Sequence, residues 1–142
     1  MGHPGPPAAR LPRAIAEAIV AQANAEAPLE ACGLIVGSRE AAEGGQALRY
    51  VACRNAAASP VRYTVHPDDL YRVTVEADDA GEVIWGIVHS HPASPAIPSL
   101  TDVGLAFYPA ALYVVASLAD QPALRAWRIV DGGRHEVVLE VA

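Results

Sequence analysis

The apolar run Val83–Val88, closed by His89-Ser90-His91-Pro92, constrains this chain more than any other stretch. A short apolar run bounded by a turn signal reads as a buried strand, here over 83–89, and the proline stops it. Side chains on a strand repeat every two residues, so His89 and His91 point to the same face. Ser99 and Asp102 follow eight and eleven residues after His91. Two imidazoles and one carboxylate suit a zinc ion with three protein ligands, the fourth position being left for water. Clustered His and Asp are costly to place in a protein for any other purpose. The pattern therefore predicts a metallohydrolase, with His89, His91 and Asp102 as ligands.

Ser99 and Asp102 also have the spacing of a helix N-capping box, although that box prefers Glu or Gln at its third position. The two readings are compatible: Ser99 starts a helix while Asp102, in its first turn, faces the metal. The Ser99 hydroxyl is then free to donate to the oxyanion that forms when water attacks a carbonyl. It is not needed as a nucleophile, because water activated by the metal takes that role. Glu30 lies at a helix–strand junction, after Pro28-Leu29 and before the apolar run Cys32–Gly37. By position alone it is an exposed acid. A zinc hydrolase also requires a general base, and a glutamate beside the metal but not bound to it would serve.

Along the chain, residues 1–10 are rich in Pro and Gly and read as a disordered tail. Leu11, Ile15, Ile19 and Ala23 recur at helical spacing and predict a helix over 12–26, with Pro12 in its first turn. Residues 31–53 read as a hairpin, closed through the polar turn around Gly44-Gly45. His66-Pro67-Asp68-Asp69 opens a second helix reaching Asp79, with Leu70, Val73, Val75 and Ala77 as its apolar contacts. After the histidine-bearing strand come a Pro-rich loop, a short helix over 101–107, and strands over 111–118, 123–130 and 135–141. Asp131-Gly132-Gly133 is a hairpin turn. The expected order is α-β-β-α-β-α-β-β-β: a mixed α/β (α+β) sheet with helices packed on it, in a single domain over 11–142.

The net charge is -6, and the basic residues are scattered, which argues against nucleic acid as a partner. No apolar run approaches the ~20 residues of a membrane span, and the N-terminus lacks the pattern of a signal peptide, so a cytoplasmic location is expected. Cys32 and Cys53 lack CxxC spacing and are expected to be reduced and buried, although a disulfide between them stays open. His66 reads as a helix-start residue, and Trp85 and Trp127 as core. Tyr63, Tyr108 and Tyr113 read as core or substrate-facing. All ten basic residues are arginines. A GC-rich genome accounts for that, and it also leaves the chain without a lysine for isopeptide tagging.

Glu30, then His89-Ser90-His91-Pro92, Ser99 and Asp102 together resemble the JAMM (MPN+, JAB1/MPN/Mov34) metalloprotease pattern: a distant glutamate followed by H-x-H-x7-S-x2-D. Pro28-Leu29-Glu30-Ala31-Cys32-Gly33-Leu34 also resembles the family's setting for its glutamate. No motif position departs from the active pattern, and the resemblance extends over 11–142. It implies an MPN fold, related to that of cytidine deaminases, with one zinc per chain held by His89, His91 and Asp102. It further implies Glu30 as general base and acid, and Ser99 steadying the tetrahedral intermediate. Family members hydrolyse amide or isopeptide bonds after the C-terminal Gly-Gly of ubiquitin-like proteins. The compact bacterial members, which this chain most resembles, act on ubiquitin-like sulfur carriers and remove a tail or an amino-acid adduct such as cysteine.

Two rival readings remain at this stage. A non-catalytic MPN module would bind a ubiquitin-like tail or a partner without cleaving it, and the intact ligand set argues against that. A different zinc hydrolase would act on a small amide or a nucleoside; its deaminase version would pair a histidine or cysteine with a C-x-x-C, which this chain lacks. An apolar strand edge would also support a homodimer.

Overall fold

The computed structural model describes residues 8–142, so the predicted tail falls outside the described residues as far as residue 7. Six strands form one sheet: β2 (Cys32–Gly37), β3 (Ala47–Cys53), β4 (Val83–His91), β5 (Leu112–Ser117), β6 (Ala123–Val130) and β7 (Gly133–Val137). Their order is β3-β2-β4-β5-β6-β7. Every neighbouring pair is antiparallel except β4–β5, which is parallel. Three helices accompany it: α1 (Arg13–Glu26), α2 (Pro67–Asp79) and α3 (Leu100–Gly104).

Two strands differ from the expected order. Ala9–Leu11 form β1, which pairs in parallel with β8 (Leu139–Val141) in a small separate sheet. Ala9 and Arg10 are thus structured, and Leu11, counted in the helical spacing, is a fully buried strand residue ahead of α1. The single strand expected over 135–141 is divided: β7 stays beside β6, then the chain leaves at exposed Val138 so that β8 meets β1.

Alternation along the strands divides the core into two layers. Ile35, Val88, Val114 and Ala126 face α1, whose Ile15, Ala16, Ile19 and Ala23 cover them. Leu34, Val36, Ile87, Val115 and Trp127 face the other way, with Val73 and Ala77 of α2. Each such aliphatic side chain withdrawn from water contributes ~1.5–3 kcal/mol. Val75, expected on the apolar face of α2, is instead exposed; the helix buries Asp69, Val73 and Ala77 at four-residue spacing. His66 caps α2, its Nδ1 accepting from the Asp68 backbone N–H at 3.1 Å. Asp69 accepts from the Arg54 backbone N–H (2.8 Å), Nε (3.1 Å) and Nη2 (2.9 Å), which pins the end of β3 to the first turn of α2. The β6–β7 turn needs positive φ at two residues, and Asp131 (53°) and Gly132 (75°) supply it.

Candidate metal centre

Strand register brings the site together. His89 lies on the same face of β4 as Ile87, the face toward α2. In the antiparallel β2–β4 pair Cys32 stands opposite His89. Continuing that pairing backwards sets Glu30 opposite His91. The ladder does continue: Ser90 N–H donates to the Ala31 carbonyl at 2.9 Å, and Ala31 N–H donates to Ser90 Oγ at 2.7 Å. The exposed position expected for Glu30 is therefore corrected. It is 3% exposed, because the sheet end and the segment bearing Ser59 enclose it.

The crossover from β4 to β5 passes over this end of the sheet and delivers α3. Ser99 is its N-cap, accepting from Asp102 N–H at 3.0 Å, while Asp102 Oδ2 accepts from Ser99 N–H at 2.9 Å. The same Oδ2 lies 3.0 Å from His89 Nε2 and 3.1 Å from His91 Nε2, and the two Nε2 atoms are 3.1 Å apart. Three donor atoms at the corners of one small triangle are poorly served by hydrogen bonds among themselves. Ligands at zinc's usual ~2.0–2.1 Å would stand roughly 3.3 Å from one another in a tetrahedron. The spacing, the N/N/O donor set and the burial of all three residues fit a divalent metal. Ligand atoms of Glu30, His89 and His91 also lie within 4.8 Å of one another, so the Glu30 carboxyl borders the same point.

Electrostatics differ sharply within this cluster. Burial pushes the Glu30 carboxyl from 4.5 up to about 7; nearby His91 pulls it down and Asp102 raises it. Its Oε1 is buried without a hydrogen-bond partner. Burial lowers the His89 pKa against the pull of Asp102, which keeps the ring neutral as a metal ligand must be. Burial works against the Asp102 carboxylate too, but hydrogen bonds from both histidines outweigh it and hold it well below the usual carboxylate range. His91 Nδ1 is 2.7 Å from the Pro95 carbonyl oxygen, the contact that orients a ligating imidazole.

All five residues singled out in the sequence thus meet at one end of the sheet. Ser99 is exposed, and its Oγ accepts one bond, from the Asp102 N–H. Cys32 and Cys53 are free and buried; burial raises their thiols to about 12 and about 11, so neither is a nucleophile at neutral pH. Sequence reasoning missed Ser90, Asn55 and the particular place of Tyr63, whose ring stacks on His89. Beside Tyr63 an apolar cavity of about 200 Å³ opens, lined by Leu70, Ile87, Leu105, Phe107 and Tyr108 among others.

The fold is that of a JAB/MPN domain. A JAB1/MPN domain protein from Archaeoglobus fulgidus superposes with a TM-score of 0.57 at 18% identity, over 93% of this chain and 98% of that one. A protein of Desulfitobacterium hafniense superposes with a TM-score of 0.82 at 31% identity, over 94% and 92%. The chain belongs to the family described as prokaryotic homologs of the JAB domain, whose sequence profile matches residues 12–130. It is 39% identical over 130 residues to the CysO-cysteine peptidase of Mycobacterium tuberculosis, covering 89% of this chain and 86% of that protein. It is 32% identical over 96 residues to the desampylase of Haloferax volcanii, covering 67% of each.

Proposed function

We propose that this protein is a zinc-dependent peptidase or isopeptidase. Its substrate is the amide bond that follows the C-terminal Gly-Gly of a ubiquitin-like protein, in the first place a sulfur carrier bearing a tail or an amino-acid adduct. The observation that carries this reading is the buried triangle of His89 Nε2, His91 Nε2 and Asp102 Oδ2, with the Glu30 carboxyl at its side.

His89, His91 and Asp102 would hold the metal. Zinc bound there would polarise the scissile carbonyl and acidify water. Glu30 takes the proton from the attacking water and returns it to the leaving amine. Burial, which raises this carboxyl to about 7 in the metal-free protein, favours its holding the proton it takes before passing it on. The Ser99 hydroxyl donates to the developing oxyanion. The substrate class is supported by the relatives, one named a CysO-cysteine peptidase and one a desampylase. It is also supported by Leu100, Leu105 and Phe107, large apolar side chains exposed on and just after α3, where a protein substrate would rest.

Elemental mass spectrometry of untagged protein tests the metal, and intact-mass analysis of a Gly-Gly-tailed carrier carrying a C-terminal cysteine tests the reaction. Wild type should hold about one zinc per chain and release the cysteine, and His89→Ala should lose both. Wild type that takes up no zinc when supplied with it would overturn the enzyme reading in favour of a non-catalytic binding module.

A further inference from the structure

A ligating imidazole is ordinarily oriented by its second nitrogen, which donates to a carbonyl or carboxylate. His91 follows that rule through Pro95. His89 does not: its Nδ1 is buried and has no hydrogen-bond partner among the described residues. Its ring is held by other means. The Tyr63 ring lies face to face with it, centroids 4.2 Å apart and planes 12° from parallel. On another side the His91 ring meets it edge-on, at 4.9 Å and 63°.

We propose that Tyr63 is a positioning residue for the metal centre, its ring face fixing the His89 imidazole in place of the hydrogen bond that Nδ1 does not make. The inference rests on reading His89 as a metal ligand.

A stacking ring can position its neighbour only if its own backbone is held. Tyr63 sits between β3 and α2, in a loop that an isolated antiparallel bridge from Asn55 to Val65 closes and that the Asn55 side chain grips further. Asn55 Nδ2 donates to the Arg62 carbonyl at 3.1 Å, and Asn55 Oδ1 accepts from Thr64 N–H at 2.9 Å. One amide thus grips both neighbours of Tyr63. The same Nδ2 donates to the Glu30 carbonyl at 3.0 Å. Ala56 N–H donates to the Thr64 carbonyl at 2.8 Å, and Glu30 N–H to the Ser59 carbonyl at 2.9 Å. The stacking ring, the buried carboxylate and the imidazole are therefore referenced to one loop, with Asn55 as its pin.

An aromatic residue serving only as core would, when truncated, change stability and leave metal affinity alone. The test separates the two. Zinc affinity is measured by competition with a chromophoric chelator, the visible spectrum of the cobalt-substituted protein reports ligand geometry, and urea unfolding of the metal-free protein reports folding. Tyr63→Phe keeps the ring face, so it should hold zinc within about threefold of wild type with an unchanged cobalt spectrum. Tyr63→Leu should lose roughly 10–100-fold in affinity, the range for lost orienting partners, and shift the cobalt bands. Wild-type affinity in folded Tyr63→Leu would overturn the proposal, as would an equal loss in Tyr63→Phe. If Tyr63→Leu does not fold, Tyr63→His, with its flat ring, must keep the affinity while Asn55→Ala loses it; the opposite order overturns the proposal. Wild type without zinc affinity would sink the metal centre and this inference together, whereas zinc-binding wild type and an unaffected Tyr63→Leu would sink this inference alone.

Discussion

Replacing Glu30 by Gln should make the metal-free protein lose less stability between pH 5 and pH 8 than the wild type does, while removing its turnover. The wild-type carboxyl is 3% exposed, and one of its oxygens has no partner. Burial moves its pKa from 4.5 to about 7, with His91 opposing and Asp102 adding. That displacement corresponds to roughly 3 kcal/mol against the ionised form. The sign follows from linkage. A carboxyl whose folded pKa is raised binds its proton more tightly in the folded state, so this contribution to stability is full below the unfolded value of 4.5 and is lost as pH rises through about 7. Between pH 5 and pH 8 the wild type should therefore lose roughly 2–3 kcal/mol that Glu30→Gln does not. The Gln amide adds a buried donor costing about 1–3 kcal/mol, but that cost is the same at both pH values and cancels in the difference. Thermal melts of chelator-treated protein at the two pH values read it directly: at roughly 3–4 °C per kcal/mol, the mutant-minus-wild-type difference in Tm should grow by roughly 6–12 °C on going to pH 8. With zinc restored, kcat/KM should fall by about 10²–10⁴ while zinc is retained. A Tm difference that is the same at both pH values would refute the buried, strained carboxylate, and wild-type turnover would refute its role as base.

Two further outcomes are expected. Because Glu30 must be ionised to accept a proton and burial raises its carboxyl, kcat/KM should decline toward acid, with bound metal moving that limb to lower pH; the same acid limb in the residual activity of Glu30→Gln would contradict the assignment. Asp69→Asn removes a carboxylate that Arg54 holds well below the usual range through a side-chain hydrogen bond first and a backbone one second. It should cost about 1–3 kcal/mol in urea unfolding at pH 7. The depressed pKa makes this contribution present above about 4 and lost as pH falls below it, so a cost unchanged at pH 3 would show that the ion pair is not its source.

The gathering of the two histidines with Ser99 and Asp102 was legible because it depends on short-range periodicity. Two histidines on alternate residues of β4 share a face wherever that strand goes, and Ser99 and Asp102 share the first turn of α3. Glu30 was harder. Its burial follows from the β2–β4 register and from Ser59, neither of which local sequence encodes. β1 was illegible for a related reason. Three residues cannot show alternation, and its pairing depends on β8 at the far end of the chain. Val75 misled because it is apolar in a helix whose buried stripe is set by Asp69, Val73 and Ala77. The stacking of Tyr63 on His89 was invisible for the same kind of reason: a loop residue carries no period, and that ring is placed by the backbone pairing of the loop and by Asn55, which grips the residues on either side.

The pairing of β1 with β8 also has a kinetic side. Ala9 aligns with Leu139 and Leu11 with Val141, so this clasp spans nearly the whole length of the sequence. Contacts so distant along the chain carry the largest loop-closure entropy and form late. The β2–β3 hairpin and the β5–β6–β7 meander join near neighbours and can assemble early. During synthesis β1 emerges first and must wait, unpaired, until β8 has been made. Leu11, fully buried in the finished molecule, is for that interval an unprotected apolar strand residue. The clasp is thus the step at which Leu11 stops being open to association with other chains.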